Sequence, residues 1–152
     1  MAVASDWLDE MVLWLEGFPW LLFCTFTFRP GFSEAEARWR LLLWIDQLRE
    51  ALGTPDFEWF GVPEQGRTGM SFHYHVLIAG LREFHAPERE EWMRRWYKLG
   101  GDARIDGYKA GCGGVRYILK TLGPRNTDRI EFHLVSTTQL QSEFGGNGER
   151  TS

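Results

Sequence analysis

The chain has 152 residues, of which 43% are hydrophobic and 15% aromatic. That is enough to bury the core of one domain, and too apolar for a mostly disordered chain. The net charge of −4 lacks the overall basic balance of a protein that coats nucleic acid without specificity.

The charge is unevenly spread. Between Asp102 and Arg129 six basic residues (Arg104, Lys109, Arg116, Lys120, Arg125, Arg129) face three acidic ones (Asp102, Asp106, Asp128). Cys24 and Cys112 stand far apart with no CxxC spacing, which suits a reduced compartment and gives no zinc site. Asp6, Asp9 and Glu10 replace the basic start of a signal peptide, and the apolar run from Phe18 to Phe28 contains Pro19 and is too short to span a bilayer. A cytoplasmic protein with no membrane partner is expected.

In chain order, Ser5 is placed to cap a helix over 5–16, stopped by Gly17 and apolar on much of its circumference. A strand follows from Trp20 to Arg29. Its alternation puts Leu22, Cys24, Phe26 and Phe28 on one face and Thr25, Thr27 and Arg29 on the other. Ser33-Glu34-Ala35-Glu36 is a capping box that opens a helix ended by Gly53. Strands are expected at Phe57–Val62 and Phe72–Ala79, joined by a polar connection from Pro63 to Gly69. Pro87 at a first helical position starts another helix, with Trp92, Trp96 and Leu99 as its buried stripe and Gly100-Gly101 as its stop. A short strand over Ala103–Tyr108 leads to a helix from Gly113-Gly114 through Leu122, closed by Gly123-Pro124. A last strand spans Asp128–Val135. The order β-α-β-β-α-β-α-β, behind an N-terminal helix, predicts an α+β fold. Its sheet has about five antiparallel strands in a split βαβ arrangement, with helices mainly on one face and the other face free for chemistry. The domain is expected to span 1–135, with 136–152 a flexible polar tail.

Two short segments carry chemistry. In His73-Tyr74-His75 the strand period sends both imidazoles to one face and Tyr74 to the other. Two imidazoles at that spacing can share an ion, and a carboxylate adds the oxygen ligand that Mn²⁺ or Mg²⁺ prefers. Glu64, at the end of the preceding strand of the hairpin, is the best candidate, with Glu58 the competitor. Alone, an HxH pair is more often an accident of a solvated strand. The second segment is Tyr117 with Lys120 one helical turn on. Tyr117 falls off the apolar stripe Val115, Ile118, Leu119, Leu122, with Gly113 and Gly114 one turn before it. The bare glycines would let a phosphate backbone approach a hydroxyl nucleophile with a cation beside it.

Together these segments resemble the HUH endonuclease superfamily, and within it the single-tyrosine rolling-circle replication initiators, whose nicking domain is an RRM-like sheet. Phe23-Cys24-Thr25-Phe26-Thr27-Phe28-Arg29 is similar to the family's first motif. Glu64 with Ser71-Phe72-His73-Tyr74-His75-Val76-Leu77-Ile78 is similar to the second, and Gly114-Val115-Arg116-Tyr117-Ile118-Leu119-Lys120 to the third. The resemblance implies a divalent metal, Mn²⁺ or Mg²⁺, on His73, His75 and Glu64. It implies attack by Tyr117, assisted by Lys120, on a DNA phosphate to give a 5′-phosphotyrosine and a free 3′-OH, with later religation. Thr25, Thr27, Arg29, Gly113, Gly114 and Arg116 are the expected DNA contacts. The implied partners are single-stranded DNA at a replication origin of a plasmid or virus, and a separate helicase and polymerase. A single-tyrosine HUH transposase is the nearest alternative, disfavoured because Thr121 stands four residues after Tyr117, where a glutamine ligand is usual. A non-catalytic single-stranded nucleic-acid module would not need HxH, the carboxylate and the YxxK pair together. A two-His-one-carboxylate oxygenase would leave Tyr117 and Lys120 unexplained.

Overall fold

The structure, a computed structural model, describes residues 2–53 (side chains from Trp7 onward), 56–65, 72–82, 84–120, 122 and 129–134. The expected tail over 136–152, the hairpin tip at 66–71 and the Gly123-Pro124 stop lie outside the described residues. The elements run α1 (Ala2–Glu16), β1 (Trp20–Thr27), α2 (Glu34–Leu52), β2 (Glu58–Glu64), β3 (His73–Ala79), α3 (Ala86–Leu99), β4 (Ala103–Gly107), α4 (Gly114–Leu119) and β5 (Glu131–His133).

Local chemistry sets most of the boundaries. Ser33 Oγ accepts from the Glu36 amide at 3.1 Å while the Glu36 carboxylate accepts from the Ser33 amide, the expected capping box, and Gly53 closes α2 at φ 60°. Several boundaries differ from expectation, three of them at helix ends. The first helix begins at Ala2, so Ser5 lies inside it rather than capping it. In α3 the cap is His85, which makes Pro87 the second helical residue, where its missing amide still costs nothing. The fourth helix stops at Leu119. The Leu122 amide then bonds back to the Leu119 carbonyl in a tighter turn, which leaves Lys120 as its C-cap.

The sheet order is β4-β1-β3-β2-β5, with every neighbouring pair antiparallel. β3 lies between β1 and β2, and β1 between β3 and β4, so two βαβ units interleave as the split pattern predicts. Cross-strand partners share a face, and alternation therefore sorts the side chains into two layers. One layer holds Leu22, Cys24, Phe26, Tyr74, Val76, Ile78 and Trp59 under α2 and α3, with Trp44, Trp92 and Trp96 buried against them. Burial, reinforced by Asp106, pushes the Cys24 thiol well above its ordinary range, so it packs as an inert apolar group. The second layer holds Phe60, Val62, Leu77 and Ala79 under Val12 and Leu15 of α1 and Val115, Ile118 and Leu119 of α4. This face was expected to be free. Instead α1 and α4 cover its apolar part and leave open the part that carries Thr25, Thr27, His73 and His75. Among the described residues no helix is long and apolar enough to cross a membrane.

Candidate active site

Register brings the acidic residue to the histidines. β2 runs on through Pro63 and Glu64, two residues that were expected in the connection, because β3 continues to pair with them: Val62 faces His75 and Glu64 faces His73. Pro63 is tolerated there because, among the described residues, β5 pairs with Trp59, Phe60 and Gly61 and no ladder continues beyond Gly61 on the outer side of β2. Glu64 Oε2 lies 3.1 Å from His73 Nε2 and 2.8 Å from His75 Nε2. Among the described residues this is the one group of three whose ligand atoms all lie within 4.8 Å of one another.

The surroundings suit a metal. His75 is buried, and its other nitrogen, Nδ1, lies 3.2 Å from Thr25 Oγ1, supplied by the register that sets Thr25 opposite His75. Burial lowers the affinity of His75 for a proton, and the nearby His73 and Lys120 act in the same direction against the opposing pull of Glu64. The imidazole is therefore neutral at neutral pH, with a lone pair to give. Partial burial alone would raise the Glu64 carboxyl, but the hydrogen bonds from His75 and His73 outweigh it and hold the group below its ordinary value. Two imidazole nitrogens converging on one carboxylate oxygen form a mixed donor set that fits a divalent cation.

Tyr117 reaches the same place from α4. Val115, Ile118 and Leu119 bury the inner side of that helix, which turns the half-exposed Tyr117 ring toward the sheet. Its centroid is 5.4 Å from that of His75 and 6.3 Å from that of Phe23. Lys120 Nζ sits 3.9 Å from the centre of the Tyr117 ring, over its face. An open groove of about 490 Å³ joins these parts, lined by Thr25, Thr27, His73, His75 and Tyr117 together with Phe23, Asp102, Ala103, Arg104 and Asp106.

Arg29 and Arg116, also expected as DNA contacts, meet neighbouring helices. Arg29 donates to the Tyr97 carbonyl at 2.7 Å and stacks over the Tyr97 ring, tying the end of β1 to α3. Arg116 pairs with Asp9 of α1 at 2.6 Å. Gly113 adopts φ 78° in the turn before α4, as its position requires. Gly114 leaves room for close packing: a Cβ there would lie 3.0 Å from the Tyr108 ring and 3.4 Å from Phe23. Phe23 and Arg104 are groove residues that sequence reasoning did not single out. The alternation of β1 places Phe23 with Thr25 and Thr27, but only the pairing of β4 with β1 sets Arg104 opposite Thr25. His133 is exposed on the edge strand β5, paired with Trp59 and away from the triad.

No protein-family model matches the chain, and no curated protein matches it. Solved structures similar to it include the hypothetical protein ORF119 from Sulfolobus islandicus rod-shaped virus 1, at 16% identity over 75% of this chain and 92% of that one, with a TM-score of 0.48. Another is the N-terminal nuclease domain of minute virus of mice non-structural protein 1, described with Zn²⁺ coordination in its active-site pocket and DNA recognition at the origin of replication. It is 14% identical over 84% of this chain and 72% of that one, with a TM-score of 0.33. Both neighbours are viral and one is a nuclease domain; at these distances, the chemistry of the groove itself has to carry the functional reading.

Proposed function

We propose that the chain is a metal-dependent nickase of the HUH class, which cuts and rejoins single-stranded DNA through Tyr117. The observation that carries this reading is one groove holding both the Glu64–His73–His75 donor set and the Tyr117 ring, 5.4 Å from that of His75. A non-catalytic binding module has no use for a buried, hydroxyl-braced histidine beside a carboxylate. The donor set suits a divalent ion such as Mn²⁺ or Mg²⁺, which when bound supplies Lewis-acid polarisation of a phosphate oxygen.

The chain's own residues do the rest. Tyr117 Oη attacks phosphorus, so that the tyrosine O–P bond forms as the P–O3′ bond breaks. The phenolic proton passes to water, and the departing oxygen takes up a proton to become a free 3′-OH. Phe23, His75 and α4 hold the attacking ring at the groove. Lys120 keeps its ammonium at the face of that ring, beside the charge that collects at the reacting phosphate. Thr25 and Thr27 line the floor along which the strand lies. Rejoining runs the same step backwards from the 5′-phosphotyrosine. The biological setting is initiation of rolling-circle replication at a plasmid or viral origin, by a nicking domain spanning 1–135, with a separate helicase and polymerase extending from the free 3′-OH.

Incubation with labelled single-stranded origin DNA and Mn²⁺, followed by denaturing electrophoresis, tests this. Wild-type protein is expected to give a covalent adduct. Tyr117→Phe gives none, and EDTA or His73→Ala suppresses cleavage. An undiminished adduct in Tyr117→Phe would sink the assignment of the nucleophile.

A further inference from the structure

The groove at the donor set does not end at β4. A second open groove, of about 590 Å³, adjoins it, and the two share Phe23, Arg104 and Asp106. They form one trough that runs from His73 and His75 past Tyr117 and over β4, the edge strand of the sheet, to Arg89 and Lys109. Its chemistry changes along the way. The inner end offers metal ligands and hydroxyls. The outer end offers three cations, Arg89, Arg104 and Lys109, and the rings of Phe23 and Tyr108.

Basic side chains along an aromatic floor are what an extended single strand requires: cations for phosphates and ring faces for bases. Among the described residues neither Arg89 nor Lys109 forms an ion pair. Arg104 pairs with Asp106 at 2.8 Å, but the two side chains are 79% and 50% exposed. Such a pair is worth little in water, so Arg104 can exchange the carboxylate for a phosphate at small cost. The acidic balance of the whole chain does not oppose this, since the cations are gathered at one end of one trough.

We propose that this trough carries one flank of the DNA strand cleaved at Tyr117, with Arg89, Arg104 and Lys109 on its phosphates and Phe23 and Tyr108 beneath its bases. The assignment rests on the nickase reading for the identity of its occupant. It adds a binding track across β4 whose cations, Arg89, Arg104 and Lys109, lie outside all three sequence motifs.

The test measures binding without chemistry. Fluorescence anisotropy of a labelled oligo-dT follows the full chain in a Tyr117→Phe background, with EDTA present and salt varied. The Arg89→Ala/Arg104→Ala/Lys109→Ala variant is expected to lose at least ten-fold in affinity at low salt. Its plot of log affinity against log salt should be shallower by about 2, from roughly 0.7 per lost phosphate contact on a single strand. Tyr108→Leu keeps the packing against Gly114 but removes the ring, and should cost about five-fold or more with the slope unchanged. Arg94→Ala/Lys98→Ala, in the separate groove beside α2, should change neither quantity. Circular dichroism confirms that each variant is folded. Unchanged affinity and slope in the folded triple variant would overturn the track, as would an equal loss in the Arg94/Lys98 control. The two readings fail separately. Binding as expected without any Tyr117 adduct would sink the nickase, whereas an adduct with normal binding by the triple variant would sink only the track.

Discussion

At the scale of single residues, the site depends on a hydroxyl that can both donate and accept. With no ion bound, His75 Nε2–H donates to Glu64 and Nδ1 accepts from Thr25. An ion held by Glu64, His73 and His75 would need the Nε2 lone pair, and Thr25 would then accept from Nδ1–H. Valine matches threonine in shape and can do neither. Thr25→Val is therefore expected to weaken Mn²⁺ binding by roughly 10- to 100-fold with the fold intact, as measured by isothermal titration calorimetry. Unchanged affinity would mean that Thr25 does not orient the ligand. On the opposite face, burial first and then the Glu131 charge push Tyr74 from 10 up to about 12, against the pull of Arg38. Its folded value lies above its unfolded one. Stability from this group is therefore intact below pH 10 and is lost as the pH rises from there toward 12. In an alkaline absorbance titration Tyr74→Phe should remove a step near 12, and persistence of that step would contradict the burial. Alternation alone assigned these two faces, because the strand period is a property of the backbone. The seat of Lys120 over the Tyr117 ring is a choice among rotamers, and no spacing reveals it.

At the scale of elements, the stop of α3 shows what turn chemistry tells and what it conceals. Gly100-Gly101 reads as the end of a helix, and it is one. The reason for Gly101 lies in another strand: a Cβ there would stand 2.5 Å from the Thr27 carbonyl oxygen, in backbone that cannot swing aside. The same turn is stitched to β1 by the Thr27 amide donating to the Asp102 carbonyl and the Arg29 amide to the Gly100 carbonyl, both at 2.8 Å. Gly101→Ala is thus expected to destabilise the protein by about 1–3 kcal/mol, the usual cost of overpacking, in urea denaturation. A loss below about 0.5 kcal/mol, the usual range for surface changes, would show that the turn moves freely. Arg29 and Arg116 illustrate the converse. Their sequence neighbourhood suggests DNA, and in the folded chain their long side chains also meet α3 and α1, contacts that no spacing reveals.

For the whole molecule, the order of strands and helices gave the split βαβ sheet, since short connections and crossover rules leave few other topologies. Coverage of the second face was harder to foresee. The first helix is apolar around much of its circumference, so the pattern does not say what it covers. Burial energies show what holds the site helix. Ile118 of α4 is 1% exposed, while the Arg116–Asp9 pair joining α4 to α1 has side chains 52% and 56% exposed. Ile118→Ala is expected to cost about 2–5 kcal/mol, whereas Arg116→Ala should cost no more than about 1 kcal/mol. Thermal denaturation distinguishes them, and a larger loss at Arg116 would make the ion pair, rather than the apolar contact, the anchor of Tyr117.

The alternation of His73, Tyr74 and His75 on β3 also bears on how the sheet assembles. A slip of β3 by one residue would drive both imidazoles into the aromatic layer under α2 and α3 and bring the Tyr74 phenol to the open groove. Each imidazole would then be dry and without a polar partner, a penalty that no neighbouring strand could absorb. The three residues that equip the groove for chemistry thereby act as a key for strand alignment, so a chain that mispairs its central strand cannot do so cheaply.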